Sequence, residues 1–158
     1  MLSRARGFTL LELVIVVAIV LLIMAMAAPL ARNMVRNYRL NAAASSVAGA
    51  IQSTRYQAIM VGCPYTLALT TNSLNYQIAT QAITGTPPAC ATSYSNVGTA
   101  VPWATTNEIA ISANTTLQFN PSGTVSATTG ALNFDLTLGT MKKSFTVSGV
   151  GNVDIVSK

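Results

Sequence analysis

The sequence contains no histidine, and only 8% of its 158 residues are charged. Soluble domains carry about 25% charged residues, so this chain has few groups for acid–base chemistry. Histidine is the commonest general base and metal ligand, and a serine nucleophile here would have no histidine beside it. The four acidic residues show no paired-carboxylate spacing, and there is no glycine-rich phosphate loop. We therefore expect a protein that is not an enzyme and that uses no metal or cofactor.

The net charge of +5 is unevenly distributed along the chain. A basic chain of this length could bind nucleic acid or an anionic membrane. However, residues 1–62 hold six arginines and one glutamate, whereas residues 63–158 hold three lysines and three acids. The excess of positive charge thus belongs to the N-terminal part, and it reports membrane topology more directly than nucleic-acid binding.

A long apolar run lies near the N-terminus. No charged residue occurs from Leu13 to Ala31, and Arg4 and Arg6 precede the run. About 20 helical residues span the roughly 30 Å of a bilayer core. Positive residues before such a helix keep the N-terminus cytoplasmic, so the remainder of the chain is expected to be exported.

An ordinary secretory signal peptide is one interpretation of this run. Ala25-Met26-Ala27 has the small-x-small pattern of a cleavage site, which would make Ala28 the first residue of the released protein. Glu12 argues against it, because a carboxylate at the start of an apolar segment is costly and usually functional.

The segment Gly7-Phe8-Thr9-Leu10-Leu11-Glu12 resembles the class III leader of type IV pilins and pseudopilins. The resemblance implies that prepilin peptidase, a membrane aspartyl protease, cleaves between Gly7 and Phe8, and that Phe8 is then N-methylated. Glu12 would become the fifth residue of the mature chain and would act in assembly. Pro29 stands where many family members have a helix-kinking proline.

A carboxylate at Glu12 has a physical reason in this family. Cleavage creates an ammonium at Phe8 beside an apolar helix, and a carboxylate one turn away can neutralise it or the ammonium of a neighbouring subunit. A helix N-terminus also favours an anion. The plainer alternative is a tolerated glutamate at the membrane interface.

Residues 32–62 continue the helical pattern beyond the apolar run. A narrow, mostly apolar stripe recurs at steps of three and four, formed by Leu40, Ala44, Val47, Ile51, Thr54, Ala58 and Val61. Its small side chains predict close packing against a sheet. Arg32, Arg36 and Arg39 lie within about 60° on this helix, where they could face solvent and lipid headgroups, an acidic neighbouring subunit, or nucleic acid.

Residues 63–158 are rich in Thr and alternate with period two in several short runs. The alternation predicts six to eight mostly antiparallel strands, in the regions of 67–69, 74–78, 109–111, 117–119, 132–138, 145–147 and 153–155. Residues 84–106 are expected to be a long loop, and Lys142 and Lys143 to lie at a hairpin turn.

Together these patterns predict an α+β protein with the lollipop form of pilins. Residues 1–7 would be the leader, 8–31 a transmembrane and filament-core helix, 32–62 an amphipathic helix, and 63–158 a β-rich globular head.

A second motif lies in the head. Phe119, Pro121 and Gly123 form an F-x-P-x-G pattern, and Gly151 precedes the last predicted strand. This pattern resembles the head of the GspH/FimT family of minor pseudopilins and minor pilins, although F-x-P-x-G alone could be an ordinary β-turn. Some FimT-type pilins bind DNA through basic residues around the last glycine turn. Here Asn152 and Asp154 occupy those positions, which does not favour DNA binding.

The chain has two cysteines, Cys63 and Cys90. An exported head would meet an oxidising compartment, and two cysteines allow one pairing. A disulfide between the end of the long helix and the 84–106 segment is therefore expected, and two free buried thiols are the alternative.

The sequence-based hypothesis is a structural subunit of a type II secretion pseudopilus or a type IV pilus. Its expected partners are the prepilin peptidase and methyltransferase, other pilins and inner-membrane lipid. It would sit in the bacterial inner membrane with a cytoplasmic N-terminus and a periplasmic head, and later enter the filament. A DNA-binding minor pilin for natural transformation is the alternative, and a secreted β-protein released by signal peptidase is a third.

Overall fold

A computed structural model of the chain describes residues 9–71, 73–85, 88–105 and 107–157, with the side chains of residues 26–30 left out. The predicted cleavage site at Gly7 and Phe8 lies outside the described residues. At Pro29 the described backbone is helical, and its side chain is outside the description. The chain divides into two compact units, Met1–Arg36 and Asn37–Lys158, which are described separately below.

The helix α1 (Leu10–Val61) crosses the boundary predicted at residue 31. It begins with a side-chain cap, because the Thr9 hydroxyl accepts a hydrogen bond from the Glu12 N–H at 3.2 Å, as N-cap residues commonly do. It ends at Val61, and the next residue, Gly62, closes it. The positive φ of Gly62, 75°, suits a glycine, and its N–H donates to the Ala58 carbonyl at 3.0 Å.

The first unit presents an apolar surface. The large apolar side chains from Leu10 to Met24 are 43 to 80% exposed, and soluble monomeric proteins rarely expose such a contiguous apolar surface. Within the described residues, no helical window combines the length and the apolarity of a membrane-spanning segment.

The second unit contains a core between α1 and the strands. The predicted stripe is buried at Leu40, Ala44, Val47, Ile51, Thr54 and Ala58. Thr54 is fully buried, and its hydroxyl is satisfied there because it donates to the Ala50 carbonyl at 2.7 Å. The prediction for Val61 is wrong, since this last helical residue is 41% exposed.

Two antiparallel sheets and one short hairpin make up the rest of the second unit. In chain order the described strands are β1 (Tyr65–Leu69), β2 (Asn75–Thr80), β3 (Ile83–Thr84), β4 (Ala89–Cys90), β5 (Ser95–Asn96), β6 (Val101–Pro102), β7 (Ile109–Ile111), β8 (Thr115–Phe119), β9 (Val125–Thr129), β10 (Asn133–Leu138), β11 (Met141–Val147) and β12 (Val153–Ser157). The first sheet has the order β5-β2-β1-β8-β9, with β6 also paired to β2. The second has the order β12-β11-β10-β7, and β3 pairs with β4.

The α+β class and the antiparallel pairing agree with the sequence prediction. The structure describes twelve strands where six to eight were expected, and seven of the eight strands with three residues or more lie in the seven predicted regions. The strand β9 was missed, because Val125–Thr129 has one buried position followed by half-buried and exposed small residues. The expected 84–106 loop was only partly right, since it contains three two-residue strands and the buried Trp103 and Ala104.

The expectation that Lys142 and Lys143 lie at a hairpin turn is wrong. Both belong to the seven-residue strand β11, and the β10–β11 turn lies at Gly139 and Thr140. Gly139 supplies the positive φ of this turn, 61°. The first four residues of β11 are all half-buried, and only the last three alternate between buried and exposed. The period-two pattern therefore indicated only the end of this strand.

Candidate functional site

The predicted assembly residue Glu12 lies in the first turn of α1. Its backbone N–H is bound by Thr9, and its side chain is exposed. No cation of the described residues lies within ion-pair distance of its carboxylate, since the ion pairs found there involve other acids. The first turn therefore presents a capped helix end with an exposed carboxylate, suited to an ammonium from outside the described chain. The Thr-x-x-Glu spacing from Thr9 to Glu12 is a capping-box pattern, a helix-start signal that lies within the leader motif.

The F-x-P-x-G motif forms the turn between β8 and β9. Phe119 is fully buried at the end of β8. Asn120 closes the turn, because its N–H donates to the Thr124 carbonyl at 2.9 Å and its carbonyl accepts from the Gly123 N–H at 2.8 Å. Gly123 has a φ of 80°, which a residue with a side chain rarely adopts. Pro121 lies exposed in the turn.

The last glycine turn joins β11 to β12. Ser148 closes it in the same way, donating to the Asn152 carbonyl at 2.9 Å and accepting from the Gly151 N–H at 2.8 Å. Gly151 also has a φ of 80°. The two turns are connected through Val125, whose N–H donates to the Gly149 carbonyl at 2.8 Å. Two motifs that are far apart in sequence are thus neighbours.

Arg55 of α1 lies against both turns. Its Nε donates to the Gly123 carbonyl at 3.0 Å. A Cβ added at Gly123 would lie 3.3 Å from Arg55 Nη2, and one added at Gly151 would lie 2.5 Å from both Cδ and Nε of Arg55. The glycines of the motif are therefore needed for contact with Arg55 as well as for backbone conformation. The sequence prediction missed Arg55, because its position at the edge of the apolar stripe, four residues after the buried Ile51, does not distinguish it from a solvent-facing arginine.

An open groove lies beside Arg55. We call it the Arg55 groove, a cavity of about 400 Å³ lined by Gln52, Arg55, Tyr56, Ile59, Gly151, Asn152 and Val153. Tyr56 and Ile59 are exposed by 63% and 44%. The groove thus combines one cation, two polar amides and an exposed aromatic side chain, and it contains no acidic residue.

The disulfide prediction is confirmed. Cys63 and Cys90 are bonded, with their Cα atoms 5.7 Å apart, within the usual range for a disulfide. Cys63 is buried and lies two residues after the end of the helix, and Cys90 ends β4. The bond therefore fixes the β3–β4 hairpin to the C-terminal end of α1.

Comparison with known families gives two matches. Residues 2–28 match the prokaryotic N-terminal methylation motif, and residues 43–151 match the type II transport protein GspH. The second match covers more than half of the 158 residues. The chain belongs to the GspH family. No curated protein and no solved structure shows a significant match.

The two family matches confirm the resemblances drawn from both ends of the sequence. The methylation motif includes Gly7, Phe8 and Glu12, and the GspH match includes Phe119, Pro121 and Gly123 and ends at Gly151. Arg55 also lies within the matched part. This family is structural rather than enzymatic, and within the described residues no group of three or more His, Cys, Asp or Glu residues could hold a metal ion.

Most of the other charged side chains described in this GspH-family head form ion pairs or hydrogen bonds within the chain. Lys142 lies 2.8 Å from Asp135 across the β10–β11 pair, and Lys143 Nζ donates to the Ser157 hydroxyl at 2.6 Å. Arg39, from the predicted arginine patch, lies 4.0 Å from Glu108, and both side chains are well exposed. Such exposed pairs contribute little stability.

A second open cavity, also about 400 Å³, lies at the other end of the head helix. It is lined by Tyr38, Arg39, Ala42, Ala43, Ser46, Pro102, Trp103, Ala104 and Thr105. Trp103 is 97% buried, and its indole N–H has no hydrogen-bond partner within the described part of the chain. This nitrogen is itself enclosed, so it does not reach a molecule in the open part of the cavity.

Proposed function

We propose that this chain is a minor pseudopilin or minor pilin, a structural subunit of a type II secretion pseudopilus or a type IV pilus. The observation that carries the proposal is the presence, in one chain, of an N-terminal methylation motif and a GspH head. The first is the motif that prepilin processing acts on, and the second is the head of a structural family. The role is therefore assembly rather than chemistry.

Prepilin peptidase would cleave after Gly7, and Phe8 would be methylated at its new amino group. The chain would then be held in the inner membrane by residues 8–31, with the head in the periplasm. Two features support this arrangement, the arginines before the apolar run and the disulfide in the head, since disulfides persist in oxidising compartments.

Entry into the filament would use Glu12 and the apolar residues around it. The Glu12 carboxylate is exposed, and so are the apolar side chains from Leu10 to Met24. A neighbouring subunit could cover these apolar side chains, and the ammonium at its N-terminus could pair with Glu12. Burying both surfaces at once would favour packing in which the charge is neutralised. A change of backbone at Pro29 during assembly stays a prediction.

The alternative of a DNA-binding minor pilin gains no support from the described residues. Binding of the DNA backbone needs several cations that face one surface. The positions after Gly151 hold Asn152 and Asp154 rather than cations. Lys142 forms an ion pair with Asp135. Lys143 donates a hydrogen bond to Ser157.

The proposal is tested with the full chain, expressed together with its own secretion or pilus system. We expect the mature protein to begin with methylated Phe8 in mass spectrometry, and to appear in sheared filaments. Glu12→Ala is expected to leave cleavage intact and to remove the protein from filaments, and Thr9→Ser, which keeps the capping hydroxyl, is the matched control. A mature N-terminus at Ala28, or a protein absent from filaments in wild type, would contradict the proposal.

A further inference from the structure

We infer that the Arg55 groove is a docking site for a neighbouring, different pilin subunit, and that it receives a carboxylate side chain flanked by an apolar one. The inference rests on the proposed function, because it names a contact that the subunit would make inside the filament. Its evidence, however, comes from the head alone.

Arg55 has hydrogen-bond donors that no group of the described residues uses. A guanidinium has five N–H donors, and only Nε–H is bonded in the described structure, to Gly123 at 3.0 Å. No acid of the described residues pairs with Arg55. Its two terminal nitrogens therefore keep four donors in the planar arrangement that binds a carboxylate in bidentate fashion.

The Arg55 guanidinium is held in one position by its contacts with the two turns. The Nε hydrogen bond and the contact with Gly151 fix the Arg55 side chain between two closed turns. The side chain is half-buried. A guanidinium that is already ordered loses little conformational entropy when a partner binds, which favours binding.

The side chains around Arg55 are of the types that are common in protein interfaces. Tyr56 and Ile59 are exposed around Arg55, and Met60 beside them is 66% exposed. Tyrosine, methionine and arginine are enriched in protein interfaces, and a central arginine or tyrosine often carries much of the binding energy. When a partner binds, Tyr56, Ile59 and Met60 would exclude water from an arginine–carboxylate pair, and the loss of water strengthens the attraction between the two charges.

The groove fits a protein better than a nucleic acid. It contains one cation, and Asp154 follows its last lining residue, Val153, whereas phosphate backbones bind to several cations. A second copy of this chain fits poorly too. A two-fold contact through the groove would place the two Arg55 residues opposite each other, whereas a head-to-tail contact would need an acid from another face of the head. There Glu108 and Asp135 already lie within ion-pair distance of cations of their own chain, and Asp154 is next to the groove residue Val153. The remaining occupant is a different subunit that contributes the acid.

The experiment places a photo-crosslinker in the full chain within its complete secretion or pilus system. Gln52→p-benzoylphenylalanine puts the probe in the groove on an exposed residue, and Tyr94→p-benzoylphenylalanine is the control on an exposed tyrosine that does not line the groove. We expect the probe at residue 52 to crosslink another pilin of the same filament, at a peptide containing Asp or Glu, with at least about ten times the yield of the control.

Two further variants test the chemistry of the contact. Tyr56→Glu adds a negative charge at the rim without touching the core, since Tyr56 is 63% exposed. It should reduce the crosslink roughly tenfold, whereas Tyr56→Phe should retain it. Replacement of the partner's crosslinked acid by its amide should cause a comparable loss. Disulfide formation and thermal unfolding check that each variant is folded.

The outcomes separate this inference from the proposed function. A crosslink to DNA, to a second copy of the chain, or to no pilin at all would overturn it, as would a crosslink that Tyr56→Glu leaves unchanged. If any of these occurs while the wild-type chain still enters filaments and Glu12→Ala does not, only the groove inference fails. If the wild-type chain never enters filaments, both proposals fail.

Discussion

The Arg55 side chain occupies the space that a side chain at residue 151 would need. Cδ and Nε of Arg55 lie 2.5 Å from the position of a Cβ at Gly151, and the same Nε binds the Gly123 carbonyl. A residue of the helix thereby connects two turns that belong to different sheets. Both glycines of the motif, Gly123 and Gly151, therefore lie against the same arginine.

Gly151→Ala should therefore destabilise the head substantially. An alanine at this position would have a φ of 80°, a conformation that costs a residue with a side chain about 1–3 kcal/mol. Its Cβ would also clash with Arg55, which adds about 1–3 kcal/mol. Thermal or denaturant unfolding of the purified full chain in detergent measures the change. The control is Gly139→Ala, where φ is 61° and nothing lies within 4 Å of the added Cβ, so that only the conformational cost applies.

A double-mutant cycle isolates the steric part of that effect. In an Arg55→Ala background, Gly151→Ala should cost about as much as Gly139→Ala does, because the clashing atoms are gone. The two substitutions should therefore couple by about 1–3 kcal/mol, as contacting residues do. Additive effects within about 0.5 kcal/mol would show that Arg55 does not limit residue 151.

The disulfide should stabilise the head measurably. Cys63 and Cys90 are separated by 27 residues, and closing a loop of this length contributes about 3.5 kcal/mol in the chain-entropy model. Reduction of the wild-type chain, or the double substitution Cys63→Ala and Cys90→Ala, should lower the free energy of unfolding by about that amount. The double variant is its own control, because a reducing agent should not change its stability. Two thiols that react with an alkylating agent without prior reduction would contradict the bond.

The ion pair between Lys142 and Asp135 should contribute little. The pair is 2.8 Å long, but the Lys142 side chain is 40% exposed, and exposed pairs contribute about 0–1 kcal/mol. Lys142→Met, which keeps the aliphatic part of the side chain, should change the free energy of unfolding by less than about 1 kcal/mol. A loss above about 2 kcal/mol would mean that the β10–β11 pair depends on this charge.

The sequence was sufficient to predict the elements in which buried residues recur at a regular helical or strand spacing. The stripe from Leu40 to Ala58 and the alternation from Phe134 to Leu138 both appear as buried faces, because each is set by local geometry. Strand β9 was not predictable in this way. Its Ala, Ser and Thr residues carry little apolar signal, and the strand forms because β8 offers a partner edge.

The candidate site was predictable in its parts and not in its arrangement. The glycines at 123 and 151 follow from the family motif, and the cysteine pairing follows from their number. Arg55, in contrast, lies 68 residues from its partner Gly123, and no local pattern reports such a contact. An arginine at the edge of an apolar stripe looks like any solvent-facing cation until the two turns are brought beside it.

Trp103 offers a test of the head core with a built-in reporter. It is the only tryptophan of the chain and is 3% exposed. Its fluorescence should be shielded from acrylamide in the folded chain and should shift to the red on unfolding. Trp103→Ala should cost about 3–5 kcal/mol, as for other buried aromatic residues.

Trp103→Phe distinguishes the ring from its N–H group. The indole nitrogen is buried without a hydrogen-bond partner in the described residues, and an unsatisfied buried donor carries a penalty of about 1–3 kcal/mol. The phenylalanine variant removes this penalty together with part of the ring, so its loss should stay below about half of that caused by alanine. A loss equal to that of Trp103→Ala would indicate that the N–H makes a hydrogen bond that stabilises the folded head.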